Sequence, residues 1–467
     1  MVGTGFVFLD FNLPNATTWF YFSFLLAVAL FFKFSRLLSM RNWDVVTVFL
    51  LVPGFLFLQE ARQQAAEKQA APAPVAKAVK TAGPIEPADP ATPDAGTNFT
   101  WLGYLWLLGG SGYFLFRCLF DLALVQRPAL APNLTLGGLA WLAGALFVCL
   151  IAVGFRPTDY RTGVPVHASP SDDKQVGRES MPLNLAQRPL GFWVKRTFAV
   201  YCHLAVVAGL LVIGIRHFQD PAGGMAAGTF YLMLPYTGMY VGQAHHVWPM
   251  VLVVWALASY RLPLLAGTLL GFAAGTAYFP ALLLPIWLSF YWRRGTGRFL
   301  FAFTFVAALC LLVTGIILWL TDDLAQAVRE ALALPDWQPW KVPTSEGFWT
   351  GIHWAFRIPV FIAYLAFVVA TAVWPLPKNL AHVIALSAAV LIGTQFWYAD
   401  QGGVYVLWYL PLLMLLVFRP NLSDRRPSPI MPETDWLTRL GRSLRRGLGR
   451  LLRAPQAPAL AGKATGR

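Results

Sequence analysis

A few short runs in this chain hold side chains whose types and spacing could do chemistry. FRPTDYR places Asp159 between Arg156 and Arg161, a carboxylate between two guanidiniums within six residues, and Asp172, Asp173 and Lys174 repeat those types further on. A carboxylate can deprotonate an acceptor hydroxyl while cations hold a departing phosphate, so either set suits group transfer. GQAHHVWP supplies Gln243, His245 and His246, DWQPW supplies Trp337 and Trp340, and TQFWYADQGG supplies Asp400. Each run also has a plain structural use. Polar loops need solvation, tryptophans anchor at a membrane surface, and Gly402 and Gly403 serve a tight turn.

Adjacent histidines on a helix point about 100° apart, so His245 and His246 cannot both serve one metal without irregular backbone. Zinc-type spacing, such as His at i and i+4, is missing around them, and no metal ligand set is expected. Cys118, Cys149, Cys202 and Cys310 lie in apolar runs without CxxC spacing and read as small buried hydrophobes. The chain has no P-loop, GxGxxG, GxSxG or cysteine cluster. Nucleotide hydrolysis and haem or iron–sulfur chemistry lose their support, and no resident cofactor is indicated by motif.

The elements that must position these groups belong to a membrane. Of 467 residues, 57% are hydrophobic and 12% charged, against about 25% charged in a soluble domain. The reading is an all-α, polytopic transmembrane helix bundle of roughly thirteen membrane helices, with the lipid bilayer as its main partner. Residues 1–59 form an N-terminal helix pair, with one helix at 45–58, and 99–418 form the main bundle, with a helix at 228–243. Residues 264–292 are too long for one span and contain Pro280 and Pro285, which predicts a hairpin of two short helices. Arg117 and Asp121, four apart on one helix, are expected to neutralise each other.

Between these parts, residues 60–98 are rich in Ala and Pro and predict a disordered linker. The loops 156–196 and 321–357 lie on one side of the bilayer, and residues 419–467 form a basic tail on the other. The whole net charge of +14 falls on the side of the tail. By the positive-inside rule the N-terminus is outside and the C-terminus cytoplasmic, in a cell (inner) membrane. Within the tail, residues 436–453 interleave leucines with arginines, which suits an amphipathic helix on anionic lipid rather than nucleic-acid binding.

The stretch Tyr231–Arg294 combines a polar turn (GQAHHVWP), a helix ending in Tyr-Arg, the element LLAGTLLGFAAG and a Pro-punctuated helix ending WRRG. It resembles a block common in GT-C glycosyltransferases, especially bacterial polyprenol-phosphate-mannose-dependent mannosyltransferases, over about one seventh of the chain. The resemblance implies a GT-C-like core that transfers a sugar from a polyprenyl-phosphate donor to a glycan, lipid or protein acceptor. It also implies an acidic residue in the first large extracytoplasmic loop, acting as base or through a divalent metal ion. Counted back from the block, that loop is 156–196 and the residue is Asp159. Arg156, Arg161, Asp172, Asp173, Gln243, His245, His246, Trp337, Trp340 and Asp400 are then expected to bind substrate. A transporter or flippase, or a non-catalytic membrane scaffold, is the alternative reading of the same composition.

Overall fold

The computed structural model describes residues 16–70, 95–124, 130–155, 190–320, 338–342, 347–428, 443 and 446. Every regular element among them is a helix. The first are α1 (Ala16–Phe31), α2 (Met40–Thr47), α3 (Val52–Ala70), α4 (Ala95–Phe120) and α5 (Leu136–Gly154). Next come α6 (Leu190–Ile213), α7 (Pro221–Met233), α8 (Pro235–Met239), α9 (Ala244–Ala258) and α10 (Pro263–Ala277). The chain ends with α11 (Leu284–Phe290), α12 (Thr296–Trp319), α13 (Arg357–Val373), α14 (Leu380–Trp397) and α15 (Leu410–Phe418).

Among the described residues six helical stretches are long and apolar enough to cross a membrane, and four more apolar helices are shorter. This is fewer full-length spans than the roughly thirteen read from the apolar runs, because several runs are divided. Pro235 divides one run, and Pro53 follows a turn inside Met40–Ala65, a stretch that still counts as one span; each lacks an N–H and disfavours helix in the residue before it. The expected helix 45–58 is thus cut by a tight turn at Val48–Leu51, where Leu50 N–H bonds the Thr47 carbonyl at 2.9 Å. Likewise 228–243 becomes the end of α7 and the short α8, with Leu234 extended between them. The expected linker is shorter than 60–98, because α3 runs on to Ala70 and α4 starts at Ala95. Residues 71–94 and nearly all of the amphipathic segment 436–453 lie outside the described residues.

The outer surface is apolar. On α12, Phe305, Leu312 and Ile317 are each at least 60% exposed, a surface that hydrocarbon solvates and water does not. Conversely, α14 is buried almost throughout and forms the centre of the bundle. The hairpin expected at Pro280 is present. The chain reverses at Tyr278, whose φ is 57°, and the Tyr291 hydroxyl donates to the Tyr260 carbonyl at 2.6 Å, joining the two ends. That end also carries Phe418 and the following segment, and is called the tail face below.

The glycines of LLAGTLLGFAAG pack helices together. A Cβ at Gly267 or Gly271 would stand 2.4 or 2.5 Å from the carbonyls of Phe299 and Phe303, so α10 and α12 touch backbone to backbone. Their place in the resembling block is therefore explained by close packing.

At the tail face the expected Arg117–Asp121 pair is one link of a longer chain. Arg117 forks onto Asp44 through Nε and Nη2 at 2.6 and 2.8 Å, and its Nη1 reaches Asp121 at 3.2 Å. Arg419 Nε donates to the other oxygen of Asp121 at 2.8 Å, and Arg41 Nη1 donates to the Val417 carbonyl at 2.6 Å. Self-neutralisation on one helix is corrected to a network joining α2, α4 and the end of α15.

Candidate functional site

The opposite face is organised by the turn between α8 and α9 and the loop between α14 and α15. Tyr240 and His246 close the first turn, and their rings stack at 4.4 Å. His246 stacks in turn on Tyr405 at 4.9 Å, Tyr405 on Trp408 at 4.2 Å, and Trp408 on Phe279 at 3.9 Å. All four pairs lie within 26° of parallel, so five rings from three regions of the sequence form one column. Phe279 enters it because the hairpin reverses at Tyr278. The nine residues of α15 rise only about 14 Å, half the depth of a bilayer core of about 30 Å.

The backbone around the column is held by Gln395 of α14. Its Oε1 accepts the N–H groups of Gly403 at 3.1 Å and Tyr405 at 3.3 Å. Gly403 has φ +89°, and a Cβ there would stand 2.8 Å from Leu107, so the turn requires glycine. The Tyr405 hydroxyl donates to the Asp400 carboxylate, which is half-buried at the rim. Two polar atoms of the column, His246 Nδ1 and Trp408 Nε1, are buried without a hydrogen-bond partner. Such buried polar atoms are costly unless they are hydrogen-bonded.

A cation stands beside the turn. Arg196 of α6 is buried, lies over the Phe192 ring at 5.4 Å, and fills the space a side chain at Gly242 would need. On the other flank, Trp349 Nε1 donates to the Phe396 carbonyl at 3.0 Å, and the buried Arg357 holds the Trp397 and Gln338 carbonyls at 2.5 and 3.3 Å. These bonds tie both described parts of the 321–357 loop to the same face.

No protein-family profile, curated protein or solved structure matches this chain.

Of the expected site residues, the structure brings His246 and Asp400 into one unit through Tyr405. His245 is exposed and touches only the edge of the column, its ring 4.4 Å from that of His246. Gln243 starts α9 half-buried without capping it. Trp340 is exposed beside the Arg357-held segment, and contributes no ring to the column. Arg156, Asp159, Arg161, Asp172, Asp173 and Trp337 lie outside the described residues. Among the described residues no three His, Cys, Asp or Glu side chains gather to hold a metal ion.

Sequence reasoning passed over Arg196, Tyr240, Gln395 and Tyr405. Gln395 did carry a signal, being an uncharged polar group inside an apolar helix.

Proposed function

We propose that this chain is a membrane-embedded glycosyltransferase of GT-C type, moving a sugar from a polyprenyl-phosphate donor to an acceptor hydroxyl. One observation carries the reading. The described residues on either side of 156–189 stand beside the ring column. Phe155 and Trp193 are in ring contact at 5.4 Å, and a Cβ at Gly154 would lie 3.5 Å from Val241. Asp159, with Arg156 and Arg161, is four residues from that anchored end.

In this reading Asp159 is the catalytic base and the arginines hold the departing phosphate. His246 and Trp408 offer the unpartnered polar atoms to the substrate, and Asp400 with Tyr405 forms the acidic rim. The opposite face is then extracytoplasmic and the tail cytoplasmic, as the charge distribution expects.

The test is transfer from polyprenyl-phosphate sugars by the purified chain in liposomes. Wild type is expected to consume at least one donor, and Asp159→Asn to lose about 10²-fold or more. A fully active Asp159→Asn moves the base to Asp172 or Asp173. A wild type inert with every donor overturns the proposal.

The interrupted helices, α7 to α8 at Leu234 and α10 to α11 at Tyr278, favour a transporter as second reading, since broken helices build transporter sites. Substrate flux without turnover in the same liposomes would select it.

A further inference from the structure

The tail face holds a cavity of about 300 Å³. Its walls come from the end of α11, the loop between α13 and α14, and the segment after α15. That last segment is fixed there by two bonds. Leu380 N–H donates to the Arg425 carbonyl at 2.8 Å, and Arg294 Nη1 donates to the Pro427 carbonyl at 2.7 Å.

Three cations line this cavity, Arg294, Lys378 and Arg426, and among the described residues no carboxylate does. Lys378 is the most telling. It is 2% exposed, and its Nζ donates to Ser289 Oγ at 3.1 Å and to the Ala372 and Pro375 carbonyls at 2.9 and 3.0 Å. All three acceptors are neutral, and burial without a counter-charge pulls the ammonium down to about 8. A buried ammonium beside two guanidiniums is unfavourable unless an anion is supplied. The charges of α2, the end of α4 and the end of α15 at this face pair among themselves, so charge matching is the local habit this cavity departs from.

The rest of the lining says what bears the anion. Trp292 and Leu376, at 65% and 62% exposure, stand at the mouth with Phe290 behind them. Trp374 beside them is also exposed. Large apolar side chains around a cationic pocket at a helix end match a phosphate whose substituent remains in the hydrocarbon layer. We propose that this cavity binds the phosphate of an anionic membrane lipid, with Lys378, Arg294 and Arg426 on the phosphate and Trp292 and Leu376 on the glyceride. The site is independent of the transferase reading, being built from other residues at the other face.

Native mass spectrometry of the full-length chain in mild detergent tests this, with phosphatidylglycerol, phosphatidylcholine and inorganic phosphate as probes. Wild type is expected to keep one phosphatidylglycerol with about tenfold preference over phosphatidylcholine. Arg426→Gln, whose side chain holds no other element in place, is expected to reduce that preference severalfold, and Arg294→Gln with Arg426→Gln to abolish it. Lys378→Met tests the buried cation directly, and the Arg426→Gln variant keeps the test decisive if Lys378→Met does not fold. Equal retention of both lipids, or a double variant that binds as wild type does, overturns the proposal. Displacement of the lipid by inorganic phosphate at equal concentration overturns the lipid as the source.

Discussion

Two clusters of buried polar side chains, one at each face of the bundle, treat their hydrogen bonds in opposite ways. At the tail face Asp44, Arg117, Asp121 and Arg419 consume one another's hydrogen bonds, fork against carboxylate. In the ring column of the opposite face His246 Nδ1 and Trp408 Nε1 are left without hydrogen-bond partners. A saturated network specifies how helices fit, since any lost member strands a charge. An unsaturated one has capacity for something that is not part of the chain. Burial of charge in a membrane helix is a functional hint by default, and this comparison shows that the state of the partners decides whether the hint is followed.

The comparison breaks most easily at Arg117. Arg117→Met leaves Asp44 without its fork and weakens Asp121, so unfolding in detergent should show a loss of about 3–5 kcal/mol. If the variant is as stable as wild type, the tail-face network is not structural. A smaller loss is expected from Gly271→Ala, whose Cβ would meet the Phe303 carbonyl at 2.5 Å. Separating α10 from α12 should cost about 1–3 kcal/mol, read as a lowered melting temperature. Because α10 positions Phe279 in the column, activity should fall alongside.

The smallest effect sharpens the contrast within the tail face, between paired and unpaired cations. Lys378 has its ammonium lowered to about 8 by burial. A lysine lowered in the folded state destabilises the fold below that value, and the penalty is removed as pH rises from about 8 towards the ordinary value near 10.4. Arg294 and Arg426 face the same cavity, and His382 lies within electrostatic reach. The guanidiniums keep their charge throughout that window. Lipid-free protein should therefore gain modest stability between pH 8 and 10, and retention of phosphatidylglycerol should weaken over the same range. A flat profile in Lys378→Met identifies the group, and a flat profile in wild type removes the unpaired ammonium from the account.

What the sequence made legible follows the range of each interaction. Apolar length located the helices, and Pro280 with the flanking arginines located the hairpin, because both are local signals. The divisions at Pro53 and Pro235 were equally local and were submerged in the apolar runs around them. Arg117 and Asp121 were visible as an i,i+4 pair, whereas Asp44 and Arg419 lie 73 and 298 positions from their partners. The ring column likewise joins residues near 240, 279 and 405, and no single tyrosine there differs from an interfacial anchor when read alone. His246 and Asp400 were legible as polar residues at turns, but the tyrosine linking them was not. The acidic loop residues, foremost Asp159, rest on the resemblance and on the position of the loop's anchored ends.

The most direct measurement pairs two readouts on Tyr405→Phe, which removes one hydroxyl from the Asp400 rim and keeps the ring in its stack. If the opposite face is a site and not a structural network, sugar transfer from a polyprenyl-phosphate donor should fall about tenfold or more. The melting temperature should stay within about 2 °C of wild type, since the aromatic packing is unchanged. A variant with full transfer, or one whose activity falls only as far as its stability does, would contradict the account.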